Sequence, residues 1–173
     1  MKQNPHPNEM GRIVNGEIPA KAVPWQVSLL YKSKPRCGGV LIDQTTIITA
    51  AHCIKFLKNT LQFDLNPRNY KIVFGSKYRF PKKDDLILTV SQIIPYPEYI
   101  NTGNNVENDI AILKVPWKHR ITYNYQIRRI CLPPHKNYLS IHDNLYLPPS
   151  DTKWMEDDCY ISGYGAIKGS KLP

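Results

Sequence analysis

The sequence predicts an all-β fold built around a small antiparallel barrel, and three observations carry that prediction. The apolar residues come in short runs, several of them alternating with polar neighbours, which is the period of a strand with one buried face. No stretch keeps a helical period for long, and fifteen prolines and eleven tyrosines punctuate the chain as strands joined by turns would require. With 42% hydrophobic and 21% charged residues over 173 positions, the chain has material for one modest folded core, and the composition argues against a disordered segment.

Met1 to Arg12 is polar, contains Pro5 and Pro7, and reads as a lead segment. Trp25, Val27 and Leu29 then alternate with Gln26, Ser28 and Leu30, giving a first strand with one buried face. After a basic turn, Lys32 to Arg36, comes a second strand over Cys37-Gly38-Gly39-Val40-Leu41-Ile42, where paired glycines allow a bulge or an unusually close neighbour. Ile47-Ile48-Thr49-Ala50 supplies a third. Lys55 to Asn69 is a polar loop, Tyr70 to Gly75 a fourth strand, and Leu86 to Val90 with Ile93-Ile94 a fifth, reached through the charged turn Lys82 to Asp85. Beyond the polar loop Asn101 to Asn108, Asp109 opens a sixth strand, Ile110 to Val115, and six strands are enough to close one small barrel. From Pro116 the pattern becomes connective until Cys159-Tyr160-Ile161-Ser162-Gly163-Tyr164-Gly165, which reads as another strand.

The formal charge of +9 invites a polyanion partner. The basic residues are spread over Lys32 to Arg36, Arg68 to Lys71, Lys77 to Lys83 and Lys114 to Arg129, with no zinc spacing, helix-turn-helix pattern or aromatic platform beside them. They read as a solvated basic surface, and no specific nucleic-acid partner is expected. The four cysteines, Cys37, Cys53, Cys131 and Cys159, form no Cys-x-x-Cys pair and meet no histidine at structural-zinc spacing. Disulfides in an oxidising compartment are expected, with three pairings open. No apolar stretch is long enough to span a membrane, and Met1 to Gly11 has no hydrophobic core of a signal peptide. The targeting segment of a secreted product would therefore be missing from this sequence.

The chemistry concentrates at two blocks. His52 stands at the end of an apolar strand in Thr49-Ala50-Ala51-His52-Cys53, where small Ala50 and Ala51 leave room for the imidazole to face a cleft. Asp109 opens another apolar strand in Asn108-Asp109-Ile110-Ala111-Ile112-Leu113. A histidine base and a carboxylate that orients it are the pairing nucleophilic catalysis needs. A plainer reading makes His52 a residue at a disulfide corner and Asp109 a cap on the turn before its strand. His6, His119, His135 and His142 lie in polar stretches and are assigned no role.

These two blocks resemble those of the trypsin and chymotrypsin-like serine peptidases. So do Arg12-Ile13-Val14 with Pro24-Trp25 ahead of them, and Cys131-Leu132-Pro133 and Ser162-Gly163-Tyr164-Gly165 behind, so that the resemblance runs from about Arg12 to the end. It implies a double antiparallel β-barrel with the first barrel complete and the second only begun. On that reading 1–12 is a lead segment or the end of a propeptide, 13–130 the first barrel, 131–158 an inter-barrel linker with an insertion, and 159–173 the first part of the second barrel. The resemblance also implies that His52 is the general base, that Asp109 orients it, and that a Cys37–Cys53 disulfide anchors the turn carrying His52. Cleavage between Arg12 and Ile13 would free an amine that inserts beside an aspartate, although Asn15 departs from the glycine usual there. In several members the counterpart of Cys131 bonds to a cysteine in the lead peptide, of which Met1 to Arg12 has none, and that of Cys159 bonds within the second barrel, so both are expected unpaired, or Cys131 adventitiously bonded to Cys159. One branch of the family binds calcium near Leu86, but Lys82 and Lys83 argue against an oxygen-rich site, and neither metal nor cofactor is expected.

The family's third block, a nucleophilic serine in Gly-Asp-Ser-Gly-Gly, is absent. Ser28, Ser33, Ser76, Ser91, Ser140, Ser150, Ser162 and Ser170 all lack that setting. The expectation is a fragment of a secreted, extracellular zymogen of a serine endopeptidase, inactive by itself because the nucleophile, oxyanion donors and specificity pocket are missing. Its complete form would act on proteins or peptides and meet protease inhibitors, with no membrane partner. The alternative is a non-catalytic truncated homologue acting as a binding or decoy protein.

Overall fold

A computed structural model describes residues 19–55, 62–102, 105–132 and 161–164. The lead segment 1–12, the expected cleavage point Arg12–Ile13, Cys159, the linker from 133 to 158, and all but 161–164 of the expected second-barrel strand lie outside the described residues.

The described residues form β1 (Gln26–Tyr31), β2 (Lys34–Leu41), β3 (Thr46–Thr49), β4 (Tyr70–Phe74), β5 (Leu86–Thr89), β6 (Gln92–Pro95), β7 (Ile100–Asn101), β8 (Val106–Glu107) and β9 (Ala111–Lys114). Seven of them make one antiparallel sheet in the order β5-β4-β1-β2-β3-β9-β6. Its two outer strands are joined by Val90 and Ser91. The Val90 N–H donates to Tyr70 O on β4 (3.2 Å), and the next N–H, of Ser91, donates to Lys114 O on β9 (2.7 Å). β5 and β6 are thus one bent strand shared by both ends of the sheet, which curls into a closed barrel of six and leaves no free edge. The trypsin-like β-barrel expected from the sequence is this one.

Side chains alternate along each strand, and the inward set builds the core: Val27 and Leu29 from β1, Leu41 from β2, Ile47 from β3, Tyr70, Ile72 and Phe74 from β4, and Ala111 and Leu113 from β9. Segment 116–130 then straps across the barrel, with Ile121 N–H on Gln44 O (2.8 Å), Arg128 N–H on Pro24 O (2.9 Å) and Ile130 N–H on Leu41 O (2.9 Å). Ile121 and Ile127 are buried beneath it.

The structure corrects four details of the sequence reading. β1 is buried on both faces, with Ser28 and Leu30 at 1% and 2% exposure, and the loop after β4 reaches back to its outer side at Ser28, whose hydroxyl donates to Arg79 O (3.3 Å). Trp25 precedes the strand and stands partly in solvent. The basic turn contracts to Lys32 and Ser33, whose positive φ values (48° and 63°) make a tight two-residue hairpin matched to strand twist, so Lys34 to Arg36 belong to β2. The polar loop 101–108 contains a short ladder, Ile100 opposite Glu107 and Asn101 opposite Val106.

Of the paired glycines, Gly39 is the close neighbour and Gly38 is not. A Cβ at Gly39 would lie 2.9 Å from Ile48 O, 3.0 Å from Ile47 Cγ2 and 3.2 Å from Val27 Cγ2, whereas at Gly38 the nearest atom is 3.6 Å away. Gly39→Ala is expected to cost about 1–3 kcal/mol through overpacking, with Gly38→Ala close to wild type. Urea unfolding of the oxidised chain checks this; equal midpoints for the two variants would show that the β2–β3 contact yields freely.

Candidate active site

β3 ends at Thr49 and the chain then makes one 3-10 turn, Ala51–Cys53, closed by Cys53 N–H to Ala50 O (3.1 Å) and Ile54 N–H to Ala51 O (2.9 Å). Ala51 and Cys53 are buried, which turns the side chain between them outward; the His52 imidazole is 55% exposed. The register supplies its partner. Thr49 faces Ala111 in the β3–β9 ladder, so the residues that leave β3 lie beside those that enter β9. Asn108 takes a left-handed φ of 54° and its side-chain amide donates to Glu98 O (2.9 Å). The Ile110 N–H returns to Asn108 O (2.8 Å), a three-residue turn with Asp109 at its apex.

The Asp109 carboxylate grips His52 twice. Oδ1 accepts the His52 backbone N–H (2.8 Å) and Oδ2 lies 2.7 Å from Nδ1. Burial works to raise the Asp109 pKa, but the hydrogen bonds from the His52 ring and backbone, the imidazolium charge and the Ala51 N–H outweigh it and hold the carboxyl below its usual 3.8. An ionised carboxylate only accepts, so Nδ1 carries the proton of the neutral ring and Nε2 keeps its lone pair. This is the tautomer a general base needs, with the accepting nitrogen on the side away from Asp109.

Cys37 and Cys53 are joined by a disulfide (S–S 2.01 Å, Cα–Cα 5.9 Å) that ties β2 to the turn. The Cys53 sulfur lies 3.6 Å from His52 Nε2. Ligand atoms of Cys37, His52 and Cys53 fall within 4.8 Å of one another, but the two sulfurs are bonded to each other and supply no thiolate to a metal. Cys131 is an exposed free thiol. The structure thus brings together His52, Asp109, Cys37 and Cys53. Arg12, Ile13 and Cys159 lie outside the described residues.

One neighbour escaped the sequence reading. Arg36, which stands next to Cys37, donates from Nε to Cys53 O (2.5 Å) and from Nη2 to His52 O (2.9 Å). Once Cys37 is bonded to Cys53, the residue before Cys37 must lie near the turn, and that was the available signal.

A sequence profile of the trypsin family matches residues 13–172. The chain belongs to the trypsin family. Among curated relatives, transmembrane protease serine 11A of Homo sapiens is 36% identical over 162 residues, a stretch covering 93% of this chain and 32% of that protein. This trypsin-family chain therefore spans about a third of the length of the curated relative it matches.

Two predictions follow from the geometry of this trypsin-family site. The disulfide closes a loop with a sequence separation of 16 residues, so replacing both cysteines by serine is expected to cost about 3 kcal/mol, read as a lower urea midpoint. An unchanged midpoint would mean that the turn holds without its bridge. The second concerns acid. Asp43, Asp64 and Asp109 are all pulled below 3.8: burial opposes ionisation in each, and hydrogen bonds from Thr46 and Thr45, from Asn69, Asn66 and Tyr31, and from His52 respectively override it. A lowered folded pKa contributes stability that is complete above the unfolded value and disappears as pH falls through the folded one. Thermal midpoints should hold from about pH 7 to about pH 5 and drop below about pH 4, with a shallower acid limb in Asp64→Asn. A limb of equal steepness in that variant would exclude Asp64 as a contributor.

Proposed function

We propose that His52 and Asp109 are the general base and the orienting carboxylate of a serine endopeptidase. The observation that carries this reading is the 2.7 Å contact between Asp109 Oδ2 and His52 Nδ1, which leaves Nε2 as the proton acceptor on an exposed ring. In such a mechanism Nε2 takes the proton from a serine hydroxyl as it attacks the scissile carbonyl and then gives it to the leaving amine, while Asp109 steadies the imidazolium. None of the eight serines in these 173 residues stands in Gly-Asp-Ser-Gly-Gly. We therefore assign the nucleophile, the oxyanion donors and the specificity pocket to a second barrel, of which 159–173 is the first part, joined to the first barrel at 13–130 by the linker 131–158. Residues 1–12 are a lead segment or the end of a propeptide, and a cut between Arg12 and Ile13 turns zymogen into enzyme. Substrates are proteins or peptides, and protease inhibitors would occupy the same cleft. The Cys37–Cys53 bridge supports a secreted, extracellular setting, Cys131 is a free thiol among the described residues, and Cys159 is proposed to be unpaired as well. No helix among the described residues is long and apolar enough to cross a membrane.

The missing serine setting favours a second reading, a non-catalytic homologue that binds as a decoy. One experiment separates them. The 173-residue chain, cut at Arg12, is expected to hydrolyse no peptide ester above a His52→Ala control and to take up no fluorophosphonate label. Joined to a serine-bearing second barrel it should gain activity after the cut, and His52→Ala should then remove it by at least ~10³-fold. Stoichiometric labelling of one serine in the 173-residue chain would overturn the fragment reading, and a joined protein that stays inert would favour the decoy.

A further inference from the structure

We propose that Arg36 is a positioning residue for His52, holding the turn that carries the imidazole through two of its carbonyls, His52 O and Cys53 O; this rests on the reading of His52 as the base. A 3-10 turn leaves its last carbonyls without partners inside the turn. Here Ala50 O and Ala51 O accept from Cys53 and Ile54, while His52 O and Cys53 O receive no backbone donor among the described residues. The Arg36 guanidinium supplies both donors, Nη2 to His52 O at 2.9 Å and Nε to Cys53 O at 2.5 Å. Charge-assisted bonds from two nitrogens of one planar group fix orientation as well as position, which a lysine ammonium cannot reproduce.

The strand is shaped to present this side chain. Along β1 and β2 the register runs Leu29 opposite Cys37 and then Leu30 opposite Pro35, so Arg36 has no partner in the ladder and is the extra residue of a β-bulge. A bulge bends its strand and re-aims the side chain at that point, here toward the turn across the disulfide. The consequence is a residue held at both of its peptide groups: the His52 N–H by the Asp109 carboxylate (2.8 Å) and the His52 C=O by the Arg36 guanidinium (2.9 Å). With both ends of its backbone fixed, the imidazole keeps Nδ1 within reach of Asp109 Oδ2, and Nε2 keeps a constant direction. Arg36 touches neither ring nitrogen and acts through His52 alone.

The test compares wild type with Arg36→Ala and Arg36→Lys in the oxidised 173-residue chain, with histidine nitrogens labelled. The reading is the low-field proton of His52 Nδ1 bonded to Asp109, assigned by its loss in His52→Ala. Arg36→Ala is expected to reduce that signal at least threefold with the disulfide intact and near-ultraviolet dichroism unchanged, and Arg36→Lys to fall between. A signal of wild-type intensity in Arg36→Ala would overturn the proposal. Should that variant fail to fold, Arg36→Lys decides: reduced intensity supports the role and full intensity overturns it. In a protein joined to its serine-bearing half, kcat is expected to drop about tenfold with KM little changed, as misplacement of a reacting group predicts. Because the proton signal needs no turnover, the two readings separate. A weakened signal in an inert joined protein leaves the positioning role standing and removes the peptidase, whereas an active joined protein indifferent to Arg36→Ala does the reverse.

Discussion

The pairing of β3 with β9 is the constraint on which the site depends. Thr46 faces Lys114 and Thr49 faces Ala111, and that register alone decides that the turn after β3 and the turn before β9 lie side by side. Slipped by one residue, the pair would carry Ala111 and Leu113 out of the core and Ile110 and Ile112 into it, inverting both faces at once. The core therefore holds the register, and the register holds His52 against Asp109. Barrel closure adds rigidity to the same strands, since β9 is paired on its other side with β6, whose chain is continuous with β5 and so with β4.

Much of this was legible in the sequence, and the reasons are local. Alternation along Gln26 to Leu30 and Ala111 to Lys114 marks strands because the side-chain period is two. Small Ala50 and Ala51 before His52, and Asp109 ahead of an apolar run, marked the turns that carry the chemistry. What escaped depends on contacts between segments distant in the chain. Nothing within Gln26 to Tyr31 says that a loop some fifty residues later will reach Ser28 (the Ser28–Arg79 bond spans 51 positions) or that Leu30 will be buried, so an inner strand read as a half-exposed one. Arg36 was hidden differently. As one of several basic residues after a hairpin it looked like solvated charge, and only the bulge and the disulfide give it carbonyls to reach.

The two glycines illustrate how a local ambiguity is resolved by packing. Sequence alone allowed a bulge or a close approach at Gly38-Gly39, and both occur, at different places. The bulge falls two residues earlier, at Arg36, while the close approach falls on Gly39, whose missing side chain lets Ile48 O and Val27 come near. β2 thus bends where it must direct a guanidinium and flattens where it must fit against β3.

Among the described residues three carboxylates have depressed pKa values from the same balance, burial opposed by hydrogen bonds, and one of them belongs to the candidate site. The difference lies in what their oxygens accept from. Asp64 is enclosed by the Tyr31 hydroxyl, the Asn69 amide and the Asn66 N–H, and it holds the loop before β4 against the barrel. Asp43 accepts from the Thr45 N–H and hydroxyl and shapes the turn into β3. Asp109 divides its oxygens between a backbone N–H and an imidazole that stands half in solvent. One oxygen builds structure, as in the other two, and the second is directed to an imidazole, whose neutral ring has one nitrogen that donates and one that accepts. The same carboxylate thus fixes the turn through one oxygen and faces the imidazole that the turn carries through the other.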